Sequence, residues 1–355
     1  MSNRFRAVNW SPFKVRYDLL LGTGVVLFLV GFVLASTWWL PADQAISGEI
    51  LVIRALGACG FTLLTIILCI GPLARLSPRF LPLLYNRRHL GVTMCGIALA
   101  HAALATVWYH GFGDVNPLVS ILTSSSQYGS FTEFPFQPLG LAALVILGVM
   151  AATSHDYWLS ILGPRGWKSI HLLGYLAYAL LIGHIALGVL QHGPEPVALV
   201  GTSASLVVVV ALHLCAGLRE RARDRTNRTL SEEGWVRVGA CEEIPPDAGK
   251  VVALGGCHRV AVFRHEDGFS AISNTCAHQG GPLGEGRIID GCLTCPWHGY
   301  QYVVTNGQSP PPFTERIETY ELRIEGETIW LNPRAKAPGT EVPPSRRTPD
   351  EERDR

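Results

Sequence analysis

The chain has 355 residues, of which 48% are hydrophobic and 16% charged, and its formal net charge at pH 7 is +1. A balance this close to neutrality excludes the basic footprint of a nucleic-acid-binding protein. Its nine cysteines do not read as a disulfide framework, because Cys59, Cys69, Cys95 and Cys215 fall in apolar stretches where cysteine acts as a small hydrophobe.

Those averages describe neither half of the chain. Charged residues are scarce from Leu19 to Leu218 and abundant from Arg219 onward. The expected organisation is a cytoplasmic N-terminal segment at 1–18 and a membrane domain at 19–218. A basic linker at 219–234, a small all-β domain at 235–334 and a disordered tail at 335–355 follow.

A hydrocarbon layer about 30 Å thick takes roughly 20 apolar residues in a helix. Six segments qualify: about Leu19–Leu40, Arg54–Gly71, Leu90–His110, Leu139–Ser154, Ser169–Gln191 and Val197–Leu218. The fourth is short. The first is too long for a signal-peptide core, and no A-x-A cleavage site follows it.

Arg4, Arg6, Lys14 and Arg16 precede the first segment, and Arg75, Arg79, Arg87 and Arg88 separate the second from the third. Arg165 and Lys168 lie between the fourth and fifth, and Arg219, Arg221, Arg223 and Arg225 follow the sixth. The loops Pro41–Ile53, Gly111–Gln137 and His192–Pro196 hold no Lys or Arg at all. By the positive-inside rule both termini are expected in the cytoplasm, with the chain in a bacterial inner membrane.

The third and fifth segments carry His101, His171 and His184, with His89 at the start of the third. Ionisable residues inside a membrane need partners and mark function by default. Histidines on two facing helices favour a bis-histidine haem, the bland alternative being an interhelical hydrogen bond. His171 and His184 lie 13 residues apart, which is about 20 Å along a helix. His101 pairs best in depth with His184 if the third helix begins near Arg87. A second haem on His171 and His89 is the weaker expectation, and His110 and His213 read as structural.

The run "GPLARLSPRFLPLLYNRRHLGVTMCGIALAH", ending at His101, and "WKSIHLLGYLAYALLIGHIALG", with His171 and His184, resemble the ferric-reductase-like transmembrane domain. That family includes ferric reductases, NADPH oxidases and the haem-binding membrane subunit of the periplasmic methionine-sulfoxide reductase. The resemblance implies b-type haem and electron transfer across the bilayer. Two-haem members place a second histidine on the third helix at a spacing that His89 and His101 do not match.

Beyond Trp235 the pattern becomes short alternating strands: Val236–Cys241, Lys250–Leu254, Val260–Arg264, Phe269–Asn274, Thr319–Ile324 and Thr328–Leu331. Within them stand "CAHQGGPLGEG" and "CPWHGYQY", each offering one sulfur and one imidazole: Cys276 with His278, and Cys295 with His298. A zinc finger instead groups its cysteines in one pair and its histidines in another. The interleaved order lets both cysteines hold one iron and both histidines the other, as in a [2Fe–2S] cluster.

Gly281–Leu283 and Cys295–Gly299 resemble Rieske ferredoxins. The respiratory Rieske class carries an extra cysteine in each loop, which is absent here, and Tyr300 and Tyr302 are the only nearby hydroxyls that could bond the cluster sulfurs. A potential low in the Rieske range is therefore expected.

The expected fold is a six-helix transmembrane bundle followed by a small all-β Rieske domain. The leading functional expectation is a membrane electron conduit. Single electrons from a cytoplasmic donor or quinol would pass through the cluster and one or two haems b toward an external or periplasmic acceptor. The alternative is a haem-free, membrane-anchored Rieske ferredoxin serving a cytosolic oxygenase or reductase. A ferric- or quinone-reductase activity at the outer haem is a third reading, and no residue is assigned a catalytic role. No G-x-G-x-x-G opens a strand–helix unit, so hydride chemistry has no obvious module.

Overall fold

The computed structural model describes residues 12–39, 46–80, 83–84, 87–123, 127–130, 133–192, 196–226, 234–255, 258–278, 280–296 and 299–346. The chain divides into two compact units, one of helices and one that holds all ten strands.

The helices are α1 (Pro12–Trp39), α2 (Gly48–Leu76), α3 (Arg87–His110), α4 (Pro117–Thr123), α5 (Gln137–Ala152), α6 (Asp156–His192) and α7 (Pro196–Thr226). Five are long and apolar enough to cross a membrane: most of α1, α2, α3, the Gly166–Val189 part of α6, and most of α7. The sixth expected span is α5, whose 16 residues fall short of the roughly 20 needed for a straight crossing. Gly163 breaks the helical path inside α6, with φ 66° and ψ 166°.

α2 is the most buried span and α1 the least. The core of the helical unit forms around α2, where Leu51, Ile53, Cys59 and Leu64 are buried and Phe61 stacks on Tyr178 of α6 at 5.2 Å. α1 is tied in at its start, where His89 Nδ1 of α3 donates to Asp18 Oδ1 at 2.8 Å.

Two helices run past the limits of the expected spans. α1 starts at Pro12 rather than near Leu19, since proline suits a first helical turn, where its missing N–H has no partner to lose. The basic stretch expected as a linker instead continues α7 to Thr226, because its arginines, glutamate and alanine are good helix formers. Residues 227–233 lie outside the described ones.

The strands are β1 (Val236–Ala240), β2 (Gly249–Gly255), β3 (His258–His265), β4 (Gly268–Ser273), β5 (Arg287–Ile289), β6 (Cys292–Thr294), β7 (Gln301–Val303), β8 (Thr319–Tyr320), β9 (Leu322–Glu325) and β10 (Thr328–Leu331). They form three antiparallel sheets, ordered β1-β10-β9, β2-β3-β4-β8 and β5-β6-β7. Alternation works as expected in β1 and β10, whose Val236, Val238, Ile329 and Leu331 face one apolar core with Val252, Val260 and Val262.

The third sheet has no counterpart among the expected strands. Each of its members has three residues, too few for a period-two pattern to stand out.

The β domain also runs past its expected limit. Composition predicts disorder from residue 335, yet the chain as far as Arg346 is hydrogen-bonded to the β domain. Ser345 and Phe269 exchange two backbone bonds of 2.9 Å, and the amides of Lys336 and Val342 donate to Thr319 and Thr305. Extended backbone beside unpaired strand groups satisfies its polar atoms whatever its side-chain composition. Residues 347–355 lie outside the described ones.

Candidate redox centres

Cys276 follows β4 and Cys295 follows β6, and their loops close in the same way. Gly280 N donates to Cys276 O at 2.8 Å, and Gly299 N donates to Cys295 O at 3.0 Å. In the reverse sense, Cys276 N donates to Gly281 O and Cys295 N to Tyr300 O, at 2.9 and 2.8 Å. The glycine four residues beyond each cysteine has φ near +70°, at 73° and 71°, a conformation that costs a residue with a side chain.

Both cysteines are buried in one apolar cluster with Phe263, Leu283, Leu293 and Tyr302, and neither forms a disulfide. The His278 ring stacks on Tyr300, with centroids 5.0 Å apart and planes 7° apart. The fourth expected ligand, His298, lies outside the described residues. Among the described ones no three His, Cys, Asp or Glu side chains converge as a single-ion site requires. Two matched loops, each with a buried thiol and the first also with His278, fit a two-iron cluster held between them.

Tyr302 is fully buried, and its hydroxyl lies 3.4 Å from Cys276 Sγ. That oxygen already accepts the Ala277 amide proton at 3.0 Å, so its own proton is left for the sulfur. Burial, with the charge of Cys276 beside it, pushes the phenol far above its usual range and keeps that proton in place. Tyr300 is likewise raised by burial, and its hydroxyl donates to Glu315 rather than to sulfur.

One of the two candidate hydroxyls therefore reaches the cluster loops. A donor to sulfur favours the more negative, reduced cluster. Tyr302→Phe is expected to lower the midpoint potential by about 60 mV, a tenfold shift for a one-electron couple. Redox titration of the cluster's EPR signal checks this, and an unchanged potential would remove the role.

Inside the helical unit, His101 of α3 and His184 of α6 face each other, with ring centroids 6.5 Å apart and planes at 86°. Two imidazoles bound to opposite sides of one metal, at about 2 Å per metal–nitrogen bond, have centroids roughly 6 Å apart. Each Nδ1–H donates to a main-chain carbonyl: His101 to Ile53 O of α2 at 2.8 Å, and His184 to Phe136 O, just before α5, at 3.0 Å. That fixes the neutral tautomer whose Nε2 carries the lone pair a metal needs. The pair therefore fits an iron bound between the two rings.

The third expected ligand stands elsewhere. His171 stacks face to face on Trp167 of its own helix, with centroids at 3.7 Å, and its Nδ1 donates to Trp167 O at 3.0 Å. His110 and His213 are engaged with Ser120, and with Val209 and Tyr175. Sequence reasoning missed the carbonyls of Ile53 and Phe136, which leave no trace in side-chain identity.

The Rieske [2Fe-2S] domain family matches residues 234–321, and the ferric reductase like transmembrane component family matches residues 56–182. The anthranilate 1,2-dioxygenase ferredoxin subunit of Burkholderia cepacia is 33% identical over 108 residues, which cover 30% of this chain and 97% of that protein. The protein-methionine-sulfoxide reductase heme-binding subunit MsrQ of Brucella anthropi is 30% identical over 214 residues, covering 60% of this chain and 87% of the relative.

The chain belongs to the ferric-reductase-like membrane family and carries a Rieske domain. Among solved structures, the complex of reduced oxygenase and oxidized ferredoxin in carbazole 1,9a-dioxygenase matches at 27% identity and a TM-score of 0.28. The match covers 29% of this chain and 96% of that one. The ferric-reductase-like helices make the chain an integral membrane protein. Together with the Rieske [2Fe–2S] domain they give it a role in electron transfer.

Proposed function

We propose that the chain conducts single electrons across a bacterial inner membrane, from the cytoplasmic side to an acceptor outside. Cys276, His278, Cys295 and His298 would hold the [2Fe–2S] cluster, and His101 and His184 one haem b. Each group supplies a one-electron couple when bound. The observation that carries this reading is the pairing of His101 with His184 inside the apolar helices, at a separation that suits one iron.

The direction rests on the basic loops. All four clusters of Lys and Arg fall on one side, and the Rieske domain follows the last of them in the chain. His184 lies roughly 20 Å of helix beyond His171, in the outer half of the bilayer. A cytoplasmic ferredoxin-type donor, or quinol at the inner face, would deliver the electrons.

The test is the reduced-minus-oxidised absorbance of the full chain purified from membranes, read beside its EPR spectrum. A low-spin b haem and a Rieske signal in equal amounts are expected. A Rieske signal with no haem band would leave only an anchored ferredoxin.

A further inference from the structure

The two histidines are received by matching features of the neighbouring helices. His101 donates to the carbonyl of Ile53, and four residues on is Gly57; His184 donates to the carbonyl of Phe136, and four residues on is Gly140. In a helix the side chain at i+4 leans toward the N-terminus, over the carbonyl of residue i. That carbonyl already accepts backbone N–H groups of its own helix, as Phe136 O does from Leu139 N at 3.1 Å and, more weakly, from Gly140 N at 3.4 Å, and a carbonyl oxygen has a second lone pair that a ring N–H can reach. Glycine at i+4 leaves that lone pair open to a ring from another helix.

The space is measurable. A β-carbon on Gly57 would stand 3.0 Å from Cε1 and 3.1 Å from Nδ1 of His101. On Gly140 it would stand 2.8 Å from both Cε1 and Nδ1 of His184. Other glycines of the same two helices, Gly71 in α2 and Gly148 in α5, have nothing within 4 Å.

We infer that Ile53–Gly57 and Phe136–Gly140 are paired imidazole seats that set the ring planes of His101 and His184 at right angles to each other, the orientation in which the two rings would hold one iron between them. This rests on the haem reading above. Gly57 and Gly140 are positioning residues: they act on the iron only through the plane and reach of each ring. Perpendicular axial imidazoles leave the iron orbitals nearly degenerate, so the oxidised haem should give a highly anisotropic low-spin EPR signal. Parallel rings would give a rhombic one.

The experiment compares the wild-type full chain in detergent with Gly140→Ala, Gly57→Ala, the controls Gly148→Ala and Gly71→Ala, and His184→Ala. The Rieske signal of each sample reports that the chain is intact. The wild type and both controls are expected to show the anisotropic signal. Gly140→Ala should convert it to a rhombic or high-spin one or lose haem altogether, and Gly57→Ala should change it in the same sense but less.

A rhombic wild-type signal overturns the inference. So do wild-type spectra from both Gly140→Ala and Gly57→Ala when His184→Ala loses its haem. Haem retained in His184→Ala would instead sink the ligand assignment itself, a separate result.

Discussion

Haem should fall to less than about a tenth of wild type in His184→Ala, because each ~1.4 kcal/mol of lost binding energy is tenfold in affinity and the loss of a coordinating imidazole removes several such steps. The ring of His184 faces that of His101, and its Nδ1 is held by the Phe136 carbonyl. Alanine there would remove one of the two imidazoles proposed to hold the haem, and it leaves a buried carbonyl without its ring N–H donor. His101→Ala should behave alike. His171→Ala should keep most of the haem, since that ring is stacked on Trp167 and hydrogen-bonded within its own helix. Pyridine haemochrome content per Rieske cluster is the readout. The reverse order, with His171 indispensable and His184 dispensable, would overturn the pairing.

The second large effect concerns the cluster. Cys295→Ala is expected to abolish the Rieske EPR signal while leaving the haem spectrum unchanged. Its sulfur is buried among Leu283, Leu293 and Tyr302, in a loop with the same closure as that of Cys276. In that variant dithionite should still reduce the haem, but a protein donor acting through the Rieske domain should not.

His278→Cys gives the graded version. A thiolate replaces a neutral imidazole and draws the potential down toward the plant-type value of about −400 mV, from a Rieske range of about −150 to +300 mV. Haem reduction by the protein donor at an undiminished rate in Cys295→Ala would exclude the cluster from the path.

What was legible in the sequence was what side-chain identity encodes. The Cys-x-His and Cys-x-x-His spacing named the cluster loops. Apolar length named the spans, and the shortest of the six expected ones became the 16-residue α5. The sequence matched His101 in depth to His184 on the condition that the third helix begins near Arg87, and α3 does begin there; the haem pairing itself stays a proposal.

The rest was written in the backbone. Ile53 and Phe136 act through carbonyls, and Gly57 and Gly140 through space they leave empty. The sheet β5-β6-β7, which carries the second cluster loop, consists of strands too short to show a period. The tail order to Arg346 depends on neighbours across the fold, such as Phe269, that no local composition rule can weigh.

The central claim is passage of electrons from a cytoplasmic Rieske centre to the outer side of the membrane. Inverted vesicles containing the full chain, with a ferric complex trapped inside and a dithionite-reduced ferredoxin supplied outside, test it most directly. Reduction of the trapped complex that depends on both Cys295 and His184 is the predicted result. No reduction of the trapped complex, or an equal rate in Cys295→Ala or His184→Ala vesicles, would contradict it.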